Sequence, residues 1–331
     1  MRALVTGAAG YIGSFMVRSL LGKGDNVIAF DNLERGHKEV IDPRAKFIEG
    51  DIKNRKSLEA LFKNESIDAL IHFAAYISVE ESEKSPKIYY QNNVVGSKNL
   101  FESAIDIGNV RNIIFSSSAA VYGNPQKVPI PEDHPKNPTS EYGKNKLAME
   151  EILESIRKDN PDVSFAALRY FNAAGAAMDG SNGENHDPET HIIPLAIHAA
   201  TEDSKFKLYG TDYNTPDGTC IRDYIHVLDL VEAHILALEK IQKDSGSHFY
   251  NVGTGNGYSN RQVLEMVKKV SGKTIKVREE ARRAGDPERL VADPTRIKTE
   301  LGFEPKYSDL ETIVKTAWAW HSRKERLDTR Y

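Results

Sequence analysis

The chain has 331 residues, 40% of them hydrophobic and 28% charged, enough for one large α/β domain or two lobes. A formal charge of −4 gives no electrostatic reason to expect nucleic acid or an anionic membrane as partner, and the single cysteine, Cys220, excludes an internal disulfide and any thiolate metal cluster. No apolar run approaches the roughly 20 residues that span a bilayer. Met1 leads at once into a strand with no signal sequence before it, so a cytoplasmic protein is expected.

The first element is a short apolar run, Ala3 to Thr6, ending in Gly7-Ala-Ala-Gly10-Tyr-Ile-Gly13. Ile12, Phe15, Met16, Ser19 and Leu20 follow at helical spacing, so the glycines lie between a strand and a helix. There Gly7 permits a tight turn, Gly10 lets backbone N–H groups approach a pyrophosphate, and Gly13 lets the helix close on the strand. The spacing is GxxGxxG, not GxGxxG, and by itself is a weak signal. A second buried strand, Val27 to Phe30, ends in Asp31. An acid at that position accepts hydrogen bonds from an adenosine ribose and repels a 2′-phosphate, which favours NAD over NADP. The third strand, Phe47-Ile-Glu, runs into Gly50-Asp51-Ile52, placed to flank an adenine, and the fourth, Ala69 to Phe73, ends in Ala74-Ala75.

A long helix is expected from Pro86 to Ile107, with proline suited to its first turn and Ile88, Val94, Val95, Leu100 and Ala104 on its apolar face. The fifth strand, Asn112 to Phe115, runs out into Ser116-Ser-Ser118 and then Ala-Ala-Val-Tyr122-Gly123. Serines at that end of a parallel strand open into the crevice where ligands bind. A proline-rich loop from Pro125 to Pro138 leads to Ser140 and a helix carrying Tyr142-Gly-Lys-Asn-Lys146. The four-residue spacing puts Tyr142 and Lys146 on one helical face. An ammonium there lowers the phenol's ordinary pKa of about 10 and lets it trade protons with a sugar hydroxyl. Spacing alone fits a surface tyrosine and a solvated lysine as well, and the glycine turn and serine run favour the chemical reading.

Strand and helix alternate to this point, which predicts a Rossmann-type doubly wound parallel sheet covered on both faces. After a further strand, Val163 to Leu168, ending Arg169-Tyr170-Phe171-Asn172, the alternation fails. Residues 1–170 are therefore expected to form the NAD-binding domain, with segments near 220–250 returning to it. Residues 171–331 are expected to form a smaller C-terminal α/β lobe that binds substrate. His186, Glu189 and His191 fall in an irregular stretch, where such groups are more often solvated than metal-bound, and no metal is expected. His226 reads as a core histidine, and Trp318 and Trp320 as packing on the last helix.

Gly7-x-x-Gly10-x-x-Gly13, Ser118, Tyr142-x-x-x-Lys146 and Arg169-Tyr-Phe-Asn172 together resemble the extended short-chain dehydrogenase/reductase family. Six further blocks resemble its nucleotide-sugar 4-epimerases, in order and over nearly the whole chain. They are Tyr89-Tyr-Gln-Asn-Asn93-Val, Phe115-Ser-Ser-Ser118-Ala-Ala-Val-Tyr122-Gly, Glu141-Tyr-Gly-Lys-Asn-Lys146, Asp217-Gly-Thr-Cys-Ile-Arg222-Asp-Tyr-Ile-His-Val, Tyr250-Asn-Val-Gly-Thr-Gly255 and Arg282-Arg-Ala-Gly-Asp286.

The resemblance implies NAD-dependent interconversion of UDP-galactose and UDP-glucose. Tyr142 takes the proton of the sugar 4-hydroxyl while hydride leaves C4, Ser118 hydrogen-bonds the same oxygen, and Lys146 holds the nicotinamide ribose. The 4-keto sugar then turns its other face to the returning hydride. Implied NAD contacts are Gly7, Gly10, Tyr11, Ile12, Gly13, Asp31, Asn32, Asp51, Ile52, Phe73, Ala74, Ala75, Asn92, Ser116, Tyr142, Lys146 and Tyr170. Implied contacts to the UDP-sugar are Ser118, Tyr142, Asn172, His191, Ile192, Arg222, Tyr224, Arg283, Asp286 and Leu290. The resemblance also implies a homodimer pairing Pro86–Ile107 and Tyr142–Lys158 across a two-fold axis.

Two departures carry expectations. Many members have Gly and, two residues on, Lys after the fourth strand, where this chain has Ala75-Tyr76-Ile77 and so holds NAD less tightly. Leu290 stands where a tyrosine or a smaller residue gates the sugar pocket, leaving room for an N-acetyl group. On the same fold a uronate epimerase, a decarboxylase, a 4,6-dehydratase or a non-catalytic NAD-binding protein are alternatives. Ala119-Ala120 replaces the acid pair a dehydratase uses, and Tyr142 and Lys146 are both retained.

Overall fold

The computed structural model describes residues 1–323 apart from Asp203 and Ala284, so residues 324–331 of the expected second lobe and Ala284 of the arginine-rich block lie outside the described residues. The first half alternates strand and helix: β1 (Arg2–Thr6), α1 (Tyr11–Gly22), β2 (Asn26–Asp31), β3 (Lys46–Glu49), α2 (Arg55–Asn64), β4 (Ala69–His72), α3 (Val79–Lys84), α4 (Pro86–Tyr89), α5 (Ser97–Asp106), β5 (Asn112–Ser118), α6 (Glu141–Asp159) and β6 (Ser164–Tyr170). In the second half come β7 (Asn172–Ala174), α7 (Ile192–Thr201), β8 (Lys205–Tyr209), β9 (Ile221–His226), α8 (Val227–Lys243), β10 (Ser247–Val252), β11 (Gly257–Ser259), α9 (Asn260–Ser271), β12 (Lys276–Glu280), β13 (Arg289–Leu290), α10 (Thr295–Leu301) and α11 (Leu310–His321).

The main sheet has seven strands in the order β10-β6-β5-β4-β1-β2-β3, every neighbouring pair parallel. Its strands are almost continuously apolar because helices cover both faces. Within β1 the alternation of side chains divides the core: Ala3 and Val5 pack with α1 and α8, whereas Leu4 packs with α2, α5 and α6. The chain winds from β1 through β2 to β3 on one side and resumes at β4 on the other. The carboxyl ends of β1 and β4 therefore border the crevice where a doubly wound sheet takes its ligand.

The span from Pro86 to Ile107 is not one regular α-helix. Between α4 and α5, residues Tyr90–Gly96 form wide π-type turns. The extra residue per turn swings Asn93 inward, where its Oδ1 accepts from Tyr76 N at 2.8 Å and its Nδ2 donates to Tyr76 O at 3.0 Å. The widened segment thus fixes the loop that leaves β4. Apolar periodicity survives one inserted residue, which is why the sequence reads as a plain helix.

Beyond β6 a second sheet forms in which β9 is flanked by β11 and β13, with β7 also pairing β9. A two-stranded pair, β8 and β12, lies alongside. Near 220–250 the chain divides at His226. β9 belongs to the small sheet, whereas α8 packs on the main one and β10 becomes its seventh strand. Ser140 starts α6 by accepting a hydrogen bond from Gly143 N, and Ser259 and Gln262 form a capping box at α9. No helix among the described residues is long and apolar enough to cross a membrane.

Candidate active site

At the end of β1, Gly7 has φ 71° and a Cβ there would sit 2.7 Å from Ala74 N, while a Cβ on Gly13 would sit 2.0 Å from Gly7 O. Only glycine fits either place. The turn so made leads to Gly10, which begins α1 with no side-chain cap and no acid in the first turn. The first N–H groups of α1 are free of side-chain acceptors, as a helix end that receives a phosphate requires. These residues fit the pyrophosphate of a dinucleotide.

Around this cradle the structure places Asp31 at the end of β2. Its Oδ2 accepts from Ala9 N at 2.9 Å and its Oδ1 from Leu33 N at 2.8 Å, so it ties the glycine turn to the strand beside it. Burial raises its pKa. Asn32 Nδ2 lies 3.4 Å from Asp51 Oδ2, and Ile52 is buried beside them. Phe73, Ala74 and Ala75 follow β4, and the Phe73 ring packs 5.0 Å from that of His234. Asn92 Nδ2 donates to Asn93 Oδ1 at 3.0 Å. Ile12 packs on the main core, whereas the Tyr11 hydroxyl donates to Gly175 O at 2.6 Å, joining α1 to the second half of the chain.

The three serines of β5 separate by strand alternation. Ser117 points into the protein, where its Oγ donates to Glu150 Oε1 at 2.6 Å. Glu150 receives both arms of Arg169, each at 2.8 Å, and Arg169 also donates to the Tyr122 hydroxyl at 2.8 Å. Tyr122 in turn donates to Asn251 Oδ1 at 2.7 Å. Ser116 and Ser118 point the other way. Ser116 Oγ hydrogen-bonds the Tyr170 hydroxyl, and Ser118 hydrogen-bonds Tyr142. Lys146, wholly buried, donates from Nζ to Ser116 O at 2.7 Å and lies 5.7 Å from the centre of the Tyr142 ring.

The electrostatics differ from the sequence-based expectation of a phenol made acidic by its lysine. Burial pushes Tyr142 up to about 12, with only the Ser118 hydrogen bond opposing it, and burial brings Lys146 down to about 7. The lysine head is spent on the Ser116 carbonyl, and desolvation dominates both groups, with Glu150 only partly opposing it at Lys146. Lys146 is therefore a strained group in the folded protein. The unfolded chain keeps that lysine protonated where the folded chain does not, so stability rises with pH from about 7 towards 10.5. That gap corresponds to roughly 4–5 kcal/mol, the most that Lys146→Met can recover. The variant should melt higher than the parent near pH 7 and lose the pH slope. Equal stability with the slope intact, by denaturant titration across that range, would refute this account of Lys146.

On the second sheet, β7, β9 and β13 bring Asn172, Arg222, Tyr224 and Leu290 side by side, with Asn172 opposite Tyr224 and Leu290 opposite Arg222. Asn172 Nδ2 donates to Asp223 O at 3.1 Å. Arg222 pairs with Asp286, and the Tyr224 hydroxyl is buried without a hydrogen-bond partner. Leu290 packs against the small cluster of Ala119, Val121, Tyr122 and Ile130 that follows β5. Arg283 stands apart from this row, stacked 4.1 Å over the Tyr209 ring. Ile192, first residue of α7, packs in the core of the second half.

His191 lies within a cluster. The expectation of a solvated loop fails because Glu184 is buried at 3% exposure, and His191 Nδ1 lies 2.6 Å from its carboxylate. The two histidines hold Glu184 below the ordinary carboxylate range, and the two carboxylates raise His191. The sequence reading missed Glu184, Glu150 and Arg169 as organising groups. The one signal for Glu150 was its place four residues after Lys146. His226 is fully buried, with Nε2 3.1 Å from Thr316 Oγ1 and Nδ1 accepting from Leu228 N.

Comparison with known proteins gives a consistent result. Residues 3–253 match the model of the NAD dependent epimerase/dehydratase family. The UDP-glucose 4-epimerase of Lactobacillus helveticus is 48% identical over 322 residues, 97% of each chain. The crystal structure of UDP-glucose 4-epimerase from Brucella ovis in complex with NAD superposes with a TM-score of 0.93 at 44% identity, covering 97% of this chain and 98% of that one. The UDP-Glc/GlcNAc 4-epimerase from Campylobacter jejuni gives 0.85 at 42% identity, covering 97% and 99%.

Proposed function

The chain belongs to the NAD dependent epimerase/dehydratase family, and from that premise we infer that it uses NAD to interconvert UDP-galactose and UDP-glucose by inverting C4. The observation that carries this reading is the convergence of Ser118, Tyr142 and Lys146 at the carboxyl end of β5, beside the glycine turn that follows β1.

NAD, held by the turn of Gly7, Gly10 and Gly13 with Asp31 beside it, would supply a hydride acceptor and a positive charge. The protein's part is positional and protonic. Tyr142 accepts the proton of the 4-hydroxyl, and Ser118, already hydrogen-bonded to it, relays that proton along a short path. Lys146 needs its ammonium form to assist, and a pKa of about 7 leaves that form accessible near neutrality. Because burial opposes the phenolate, its charge must be met by nearby positive charge at the moment of reaction. Arg222 offers the bidentate fork that suits a diphosphate, with Asn172, Tyr224 and Asp286 near it and Arg283 further off over Tyr209. Anchoring through the nucleotide leaves the sugar free to turn.

The test is to supply UDP-galactose to the purified protein without added cofactor and resolve the products. UDP-glucose formed without net NADH supports the reading, and turnover that begins only on adding NAD supports it with a loosely held cofactor. The second case is the one that exposed Ile77, in place of an ammonium, favours.

The same site is proposed to accept N-acetylated UDP-sugars. Leu290, half-buried against the cluster of Ala119, Val121, Tyr122 and Ile130, leaves more room than a tyrosine in its place would. Leu290→Tyr should lower kcat/KM for UDP-N-acetylgalactosamine at least about tenfold more than for UDP-galactose. Equal losses on both substrates would remove the argument. A homodimer belongs to the same proposal: Ile88 on α4 and Tyr90 at the start of the widened segment are 59% and 50% exposed beside α6, an apolar face that a second copy would cover.

A further inference from the structure

The connection from β7 to α7 carries Glu184-x-His186-x-x-Glu189-x-His191, and the fold gathers these four side chains around one point. One ligand-type atom from each lies within 4.8 Å of all the others. His191 Nδ1 is 2.6 Å from Glu184 Oε1 and 3.3 Å from Glu189 Oε1. His186 Nδ1 is 3.0 Å from Glu184 Oε1 and 4.0 Å from Glu189 Oε2. In a tetrahedral zinc site with bonds of about 2.0–2.1 Å, neighbouring donor atoms stand about 3.3 Å apart. The spacings run from 2.6 to 4.0 Å, so a bound ion would draw His191 and Glu184 apart and His186 and Glu189 together.

Ion pairing accounts for part of the arrangement, since His191 Nδ1 faces both carboxylates. His186 Nδ1 is closed off from solvent and has no hydrogen-bond partner; it approaches Glu184 Oε1 without the alignment to donate to it. Glu184 is almost wholly buried and Glu189 adds a second carboxylate to the same pocket. Glu189 Oε1 also receives Thr190 N and His191 N, which leaves its other oxygen facing His186. Two carboxylates and two imidazole nitrogens turned on one point, with His186 Nδ1 out of line to donate, offer a cation four donors.

We propose that Glu184, His186, Glu189 and His191 form a structural site for a divalent transition-metal cation, zinc foremost. Two imidazoles and two carboxylates suit that class of ion, and four protein ligands leave no open position for a reacting water. The ion's effect falls on order. Asn182, just before the cluster, donates to Ser14 Oγ on α1 at 2.8 Å, and the Glu184 carbonyl accepts from Trp320 Nε1 on α11 at 2.7 Å. His191 is the N-cap of α7. One cation therefore ties the helix after the glycine turn, the start of α7 and the last described helix to a single loop. Its ligands are distinct from Tyr142, Ser118 and Lys146, while His191, an implied UDP-sugar contact, would serve the ion instead.

The test is the metal content of the full-length protein, followed by titration of the chelator-treated protein with Zn²⁺ or Co²⁺ alone. The expected results are about one zinc per chain, a saturable one-to-one Co²⁺ signal with the visible bands of a four-coordinate ion, and a higher melting temperature with Zn²⁺. His186→Asn and Glu189→Gln should each weaken metal binding by at least about tenfold, the range seen when mere outer-shell partners are removed. Should either variant fail to fold, the other and the wild-type titration decide. Less than a tenth of a metal ion per chain with no saturable Co²⁺ signal, or equal affinity in wild type and a folded variant, would overturn the proposal and leave the cluster an ion-paired loop.

Discussion

Tyr142→Phe should lower kcat by about 10²–10⁴-fold, the span that a positioned proton-transfer group contributes, while leaving NAD binding and folding intact. The substitution removes one oxygen and nothing else. The ring keeps its place beside Lys146, and the backbone N–H of residue 142 still donates to Ser82 Oγ at 3.1 Å. Burial already disfavours the phenolate, so losing the hydroxyl costs the fold little. Ser118, left without its partner, cannot replace it: an aliphatic hydroxyl is a far weaker acid than a phenol, and its Oγ is also an acceptor for Ala120 N at 3.2 Å. The effect should lie in kcat and not in KM, because in the proposed complex the nucleotide is held elsewhere, by Arg222 and its neighbours. A variant that turned over UDP-galactose within a few-fold of the parent would remove Tyr142 from the mechanism.

Glu150→Gln should lower folding stability by about 3–5 kcal/mol, the cost of leaving one partner of a buried ion pair uncompensated. Glu150 and Arg169 are 1% and 2% exposed and share two hydrogen bonds of 2.8 Å. Glutamine keeps the shape and loses the charge, so the guanidinium remains in the interior opposed only by neutral acceptors at Tyr122 and Glu132 O. Lys136 Nζ, 3.9 Å from Glu150 on the half-exposed side, would then repel instead of adding to the pair. Activity should fall as well. Glu150 follows Lys146 by one turn of α6, and Arg169 precedes Tyr170, whose hydroxyl bonds Ser116. The pair thus sets α6 against β5 and β6, and with them the distance between Tyr142 and Ser118. The double replacement Glu150→Leu with Arg169→Met should recover much of the stability without the activity. A loss below about 1 kcal/mol for Glu150→Gln, measured by reversible denaturation, would contradict this assignment.

Features that depend on neighbouring residues were legible in the sequence. The glycine turn, the acid at the end of β2 and the serines at the end of β5 are each fixed by a strand, its period and its terminus. What escaped was set by tertiary contact. Nothing in Pro86–Ile107 marks where the helix widens, because the extra residue is imposed by Asn93 reaching the Tyr76 backbone. The spacing of Tyr142 and Lys146 reads as a phenol beside an ammonium, yet the outcome depends on how deeply both are buried. Glu184 stands in a Gly- and Asn-rich stretch like any surface acid. It is taken inside by Trp320, 136 residues further along the chain.

In the proposed reaction hydride leaves C4 of the sugar and returns to the same carbon within one closed site. The most direct measurement is conversion of UDP-galactose carrying deuterium at C4, with the UDP-glucose analysed for label and the solution for NADH. The account predicts full retention of deuterium at C4 and no NADH released. Deuterium lost to solvent, or NADH accumulating alongside an oxidised sugar, would contradict it.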